Sequence, residues 1–197
     1  NNYFIGLALQ NKNITVYGNG KQIRNVLYVD DAVSAMILAA QSEASTGEVF
    51  FAVGDKHFSV VEIAETIVKH IGKGKVICVD WPTEKKAIDI GDAILSNKKI
   101  KDLLGWDHGT SLESGLEKTK VYYENCFLCH GDLLGGRGVL AERFFPAPTN
   151  FRRPNSIISK PKAYAYWRIM KGGRDLPEQY EPWNSAMPAW EHQLTDE

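Results

Sequence analysis

The chain has 197 residues, 44% of them hydrophobic, with 23 lysines and arginines against 24 aspartates and glutamates and a formal charge of -1. That balance supplies ample core material and excludes a polycationic nucleic-acid binder or a protein held on anionic membrane by charge alone. No apolar run is long enough to span a bilayer.

The opening N-N-Y-F-I-G-L-A-L-Q reads as the inside of a helix, so a beginning upstream is expected. Ile14 to Val16 and Gln22 to Val29 are predicted strands of a hairpin around Tyr17-Gly18-Asn19-Gly20, because Asn-Gly tolerates the positive φ of a tight turn. Asp30 or Asp31 should cap a helix whose Val33, Met36, Ile37 and Ala40 share a face. A short buried strand follows at Glu48 to Val53. Ser59-Val60-Val61-Glu62 is a capping box, with Ile63, Ile67 and Ile71 continuing on one side of the helix. Lys75 to Val79 is a further strand, expected to bury Cys78 as a small hydrophobe. Ser96 starts a helix stopped by Gly105, and Ser111 starts the next, which runs as far as Asn125. The lysine-rich stretches Lys69 to Lys75 and Lys98 to Lys101 read as solvated helix ends and turns. Up to about residue 121 this is an α/β layer arrangement.

Beyond it, Cys126, Cys129 and His130 stand as C-F-L-C-H, the spacing of covalent haem attachment: two thiols reach the porphyrin vinyl groups and the adjacent imidazole lies over the metal. A thioredoxin-like dithiol would need the motif after a strand, whereas helical sequence precedes it. A zinc site would need a second ligand pair, which Cys78, His57, His70, His108 and His192 do not form. A low-spin electron carrier needs a sixth ligand. Met187, in the non-helical S-A-M-P-A-W, suits that task better than Met170, which falls at helical spacing with Tyr166 and Ile169 ahead of a glycine stop. On this reading His130 and Met187 are the iron ligands, and the function is electron transfer through haem c to redox partner proteins rather than enzymatic catalysis.

Two family resemblances accompany these readings. Residues 122–197, with Y-Y-E-N-C-F-L-C-H-G, G-D-L-L-G-G-R-G, F-F-P-A-P-T-N-F and W-R-I-M-K-G-G before S-A-M-P-A-W, resemble a class I c-type cytochrome. The resemblance implies that the carbonyl of Pro146 or Pro148 accepts the second imidazole N–H of His130. The family's glycine eight residues before the first cysteine is Lys118 here. Thr195 looks like the N-cap of a last helix, so an all-α cytochrome c fold lacking that helix is expected. Covalent haem would imply a periplasmic or extracytoplasmic setting.

Residues 1–121 are similar to the C-terminal, substrate-binding part of the extended short-chain dehydrogenases, the NAD-dependent nucleotide-sugar epimerases and dehydratases. The carrying segments are I-T-V-Y-G-N-G-K-Q-I-R-N-V-L-Y-V-D-D-A-V, G-E-V-F-F-A-V-G, S-V-V-E-I-A-E, W-P-T-E-K-K-A-I-D-I-G-D and L-G-W-D-H-G-T-S-L-E-S-G-L-E-K-T. The resemblance implies that Arg24 binds the diphosphate of a nucleotide sugar, with a second basic contact from Lys85 or Lys86. Asn25 departs from the family's usual Arg-Asp. No G-x-x-G-x-x-G or G-x-G-x-x-G occurs near the start, so NAD is not expected to bind this portion. Tyr17 and Lys21 have the spacing of the family's acid-base pair but read as exposed loop residues. Such enzymes imply a cytoplasmic setting. A fusion or chimera would explain two parts of such different character.

Overall fold

A computed structural model describes residues 2–131, 134–154, 156, 159–173 and 187–194. The chain divides into two compact units, residues 1–120 and 121–197. Among the described residues no helix is long and apolar enough to cross a membrane.

In the first unit, helix α1 (Asn2–Leu9) leads into strand β1 (Ile14–Tyr17). Strand β2 (Ile23–Asn25), helix α2 (Val29–Gln41), strand β3 (His57–Ser59) and helix α3 (Val60–Ile71) follow. Then come strand β4 (Val76–Val79), the single turn α4 (Thr83–Lys86), helix α5 (Lys98–Leu104) and helix α6 (Leu112–Asn125). The glycine turn forms as its sequence requires, with Gly18 and Gly20 both at φ 66°. A Cβ on Gly20 would lie 2.7 Å from Val16 and 2.8 Å from Val61, so that position demands glycine for space as well as for φ.

The expected hairpin around that turn does not form. β1 pairs in parallel with β4, Ile14 opposite Val76, while β2 pairs antiparallel with β3, Ile23 opposite Ser59. Gly18 donates its amide to Val79 and Gly20 accepts that of Val61, so the turn hands the chain from one two-stranded sheet to the other. The core of this region is aliphatic: Ile5 and Ala8 of α1, Ile14 and Val16 of β1, and Ile63, Ala64, Ile67 and Ile71 of α3 are all buried.

The capping box forms as expected. Ser59 Oγ accepts the Glu62 amide at 3.2 Å while Glu62 Oε2 accepts the Ser59 amide at 2.7 Å. Gly72 closes the helix in the left-handed conformation, and Gly105 does the same for α5.

Two expectations are corrected here. Glu48 to Val53 forms no strand and exposes Val49 and Phe51; only Val53 is fully buried. Cys78 lies exposed on β4, because that strand pairs with β1 in a sheet of only two strands. The apolar stripe of α2 also faces outward, with Val33, Met36 and Ile37 exposed while Asp31 and Ala35 are buried. The rotation of α2 is set by Asp31, whose carboxylate accepts the amides of Gly109 at 3.0 Å and Thr110 at 3.1 Å. That contact turns Ala35 into a second core with Ile100 and Trp106, joined by Leu27, Leu38, Phe50, Ala52 and Leu104.

The second unit takes up the end of α6 and continues through the short helix α7 (Phe127–His130), a 3-10 turn at Ala141–Arg143 and helix α8 (Lys162–Lys171). Its described residues contain helices and turns and no strand. The glycine-rich segment folds back over α7: Gly136 and Gly138 donate to the carbonyls of His130 and Cys129, and Leu140 to that of Leu128. A Cβ on Gly138 would come within 2.2 Å of the Leu128 carbonyl oxygen, a separation only glycine permits. The Thr195 cap lies outside the described residues.

Candidate functional site

At the ends of β1 and β2 the first unit gathers aromatic and basic side chains. Tyr17 ends β1 with its ring 5.4 Å from that of Trp81, whose indole in turn rests against the bare backbone of Gly18. Lys85, on α4, donates to Tyr17 Oη at 2.8 Å and lies 4.8 Å from the centre of that ring. The bond to the phenol pushes the Lys85 pKa up. Tyr17 is therefore a strand residue partnered by Lys85, and the loop reading of Tyr17 beside Lys21 is corrected. Lys21 itself turns its amide onto Asn19 Oδ1 at 3.0 Å. Lys86 follows at the end of α4 and is exposed.

Arg24 lies on β2. One guanidinium nitrogen donates to the carbonyls of Ile23, at 2.8 Å, and Gly91; the other reaches Asp89 Oδ1 at 3.3 Å. Asn25 departs from the family's usual acid, and its side chain serves the fold instead. It donates to the Gly54 carbonyl at 3.0 Å and accepts the Gly54 amide at 3.1 Å. Asp89 and the Tyr17–Trp81–Lys85 group were not visible in the sequence, because their partners are some 65 to 68 residues apart and no local spacing links them.

A third cluster joins Asp55, Asp107 and His108, whose ligand atoms lie within 4.8 Å of one another. Lys101 already bonds both carboxylates, at 2.8 Å to Asp55 and 2.9 Å to Asp107, and Asn97 Nδ2 donates to Asp55 at 2.7 Å. The bonds from Lys101 and Asn97 hold the Asp55 carboxyl down at about 2. The cluster is a tie between the segment before β3 and the loop after α5.

In the second unit Cys126 precedes α7, Cys129 lies within it and His130 ends it. Burial raises both thiol pKa values, so both sulfurs stay protonated and weakly nucleophilic at neutral pH. His130 Nδ1 lies 3.3 Å from the Thr149 carbonyl, where Pro146 or Pro148 was expected, and its ring stacks on Phe151 with centroids 4.7 Å apart. Burial lowers the His130 pKa against the opposing pull of the Thr149 bond. Met187 accepts the Gly173 amide through its carbonyl at 2.9 Å, and Gly172 packs against the same backbone.

The family model for GDP-mannose 4,6 dehydratase matches residues 3–119, well over half of the chain, and the protein belongs to that family. UDP-glucuronic acid decarboxylase 1 of Xenopus tropicalis is 36% identical over 125 residues, 61% of this chain and 27% of the relative. Two solved structures share the α/β part. One is dTDP-glucose 4,6-dehydratase from Bacillus anthracis in complex with NAD, at 26% identity and TM-score 0.54, covering 64% of this chain and 39% of that one. The other is UDP-glucuronic acid 4-epimerase from Bacillus cereus in complex with UDP-glucuronic acid and NAD, at 27% identity and TM-score 0.52, covering 61% and 38%. The chain thus spans between 27% and 39% of the length of these relatives.

These findings overturn the expectation of an electron carrier that is no enzyme. The family and the relatives are enzymes of nucleotide sugars, and the cofactor present in the solved ones is NAD, not haem c. The comparisons likewise lend no support to a cytochrome c fold in the C-terminal third or to redox partner proteins. The physical reason is one of information: a five-residue spacing around Cys126, Cys129 and His130 constrains far less than a pattern sustained across residues 3–119.

Proposed function

We propose that this chain is the sugar-nucleotide-holding part of an NAD-dependent enzyme that remodels the sugar of a nucleoside diphosphate sugar. Arg24 grips the diphosphate, and Lys86 supplies a second positive charge. Supporting this reading is the family match over residues 3–119, which contains Arg24 within I-T-V-Y-G-N-G-K-Q-I-R. The local geometry suits the role. Two backbone carbonyls fix one edge of the guanidinium, so its planar fork is oriented before any ligand arrives, and a planar fork suits phosphate oxygens. Lys86 adds an exposed point charge at the end of α4, next in sequence to the Lys85 that bonds Tyr17 of the Tyr17–Trp81 pair.

NAD belongs to the proposed enzyme and supplies its hydride chemistry when bound. This chain's proposed contribution is to the sugar-nucleotide side of that site, through Arg24 and Lys86.

The test is titration of the full chain with UDP by calorimetry. Saturable binding is expected, and Arg24→Ala should weaken it by at least about tenfold, the loss that follows removal of hydrogen bonds to a charged partner. Equal affinity in Arg24→Ala and the unaltered chain would refute the assignment of the diphosphate to Arg24.

A further inference from the structure

The segment 87–95 has no regular secondary structure and exposes Ile88, Ile90 and Ile94, yet it is tied to β2 at four points. Asp92 Oδ1 accepts the Ile23 amide at 2.8 Å, and Ala93 donates to the Ile23 carbonyl at 3.0 Å. Gly91 accepts from Arg24 through its carbonyl, and Asp89 pairs with the remaining guanidinium nitrogen. Three of these contacts have a backbone amide or carbonyl on at least one side. The fourth sets a carboxylate against the nitrogen of Arg24 that the backbone carbonyls leave uncovered.

We infer that Asp89 is a built-in competitor for the anion site: its carboxylate occupies the phosphate-facing edge of Arg24 and must be displaced when a diphosphate binds. The inference rests on the reading that Arg24 holds the diphosphate. Two opposing effects follow from one substitution at Asp89. Removing its charge frees the guanidinium and takes a negative group away from an anionic ligand, so affinity rises. Were Asp89 only a brace that aims the guanidinium, the same change would loosen Arg24 and affinity would fall. The Arg24 and Asp89 side chains keep 28% and 24% of their surface in solvent, which screens the pair and makes its displacement modest in cost. Asp92 and Ala93 hold the segment in register whether or not Asp89 is engaged, so displacement needs a side-chain rotation and no unfolding of the segment.

The experiment is a double-mutant cycle on the full chain, with UDP as titrant and calorimetry as readout. Asp89→Asn, which preserves shape and one hydrogen-bond acceptor, should tighten UDP binding about threefold to fivefold. The same substitution in an Arg24→Ala background should give a smaller gain, since there is no guanidinium to release. Unchanged or weaker binding in Asp89→Asn overturns the competitor role. An equal gain in both backgrounds also overturns it, by reducing the effect to bulk charge. Weakened binding in Arg24→Ala alongside either of these results leaves the diphosphate site standing while this inference falls. A chain in which Arg24→Ala changes nothing brings down both. If Asp89→Asn lowers the melting temperature, Asp89→Glu, which keeps the charge on a longer arm, serves as a second variant; it should leave UDP affinity at or below that of the unaltered chain, and tighter binding would overturn the proposal.

Discussion

Asp31 is 8% exposed, and both of its oxygens accept backbone amides from the loop that follows α5. Replacing it with alanine strips Gly109 and Thr110 of their acceptor, at about 1–3 kcal/mol for each amide left unsatisfied. Asp31→Ala should therefore lower the urea midpoint clearly, and Asp31→Asn, which retains one oxygen, should recover part of the loss. A midpoint unmoved by alanine would mean that water replaces the carboxylate at no cost. The sequence offered Asp30 or Asp31 as the cap of α2, but the cap position is Tyr28 and Asp31 lies in the first turn, its carboxylate turned to the loop amides instead. Arg24 was legible only through its family setting, since an isolated arginine on a strand reads as solvated. Asp89 was not legible at all: its partner lies 65 residues away, and no spacing rule links them.

Helices with local signals were read well. The box at Ser59 and Glu62, the glycine stop at Gly105, and the run of α6 into Cys126 all depend on residues within a turn or two of one another. Strand pairing was read poorly, because Gly18 and Gly20 announce a turn without saying which strand each arm will meet. The α2 stripe was found by its period, but periodicity shows a face and not what covers it.

At this same scale the tie between the segment before β3 and the end of α5 makes a prediction about acid. The Asp55 carboxyl falls from 3.8 to about 2 through its bonds with Lys101 and Asn97. A depressed carboxyl stabilises the fold fully above its unfolded value, and that stability is lost as pH falls through the folded one. Melting temperature should therefore decline between about pH 4 and pH 2 partly on account of Asp55. Asp55→Asn should be less stable than the parent at pH 6 and show a shallower decline over that window; parallel curves would disprove the linkage.

Over the whole molecule, every residue of the proposed sugar-nucleotide site lies between Tyr17 and Ala93, within the unit of residues 1–120. A chain ending at Asn125, where α6 ends, should keep its UDP affinity within about twofold, a difference of less than half a kcal/mol. A larger loss would show that residues after 125 contribute to binding. The pairing of β1 with β4 carries a kinetic consequence of its own. Ile14 meets Val76 only after the chain between them, with β2, α2, β3 and α3, has been drawn into a closed loop. The entropy of that closure is spent before the ladder returns any of it, which makes this parallel pair a late event in the folding reaction. Its side chains then act mainly as a latch on the finished state, setting how slowly the molecule comes apart rather than how quickly it assembles.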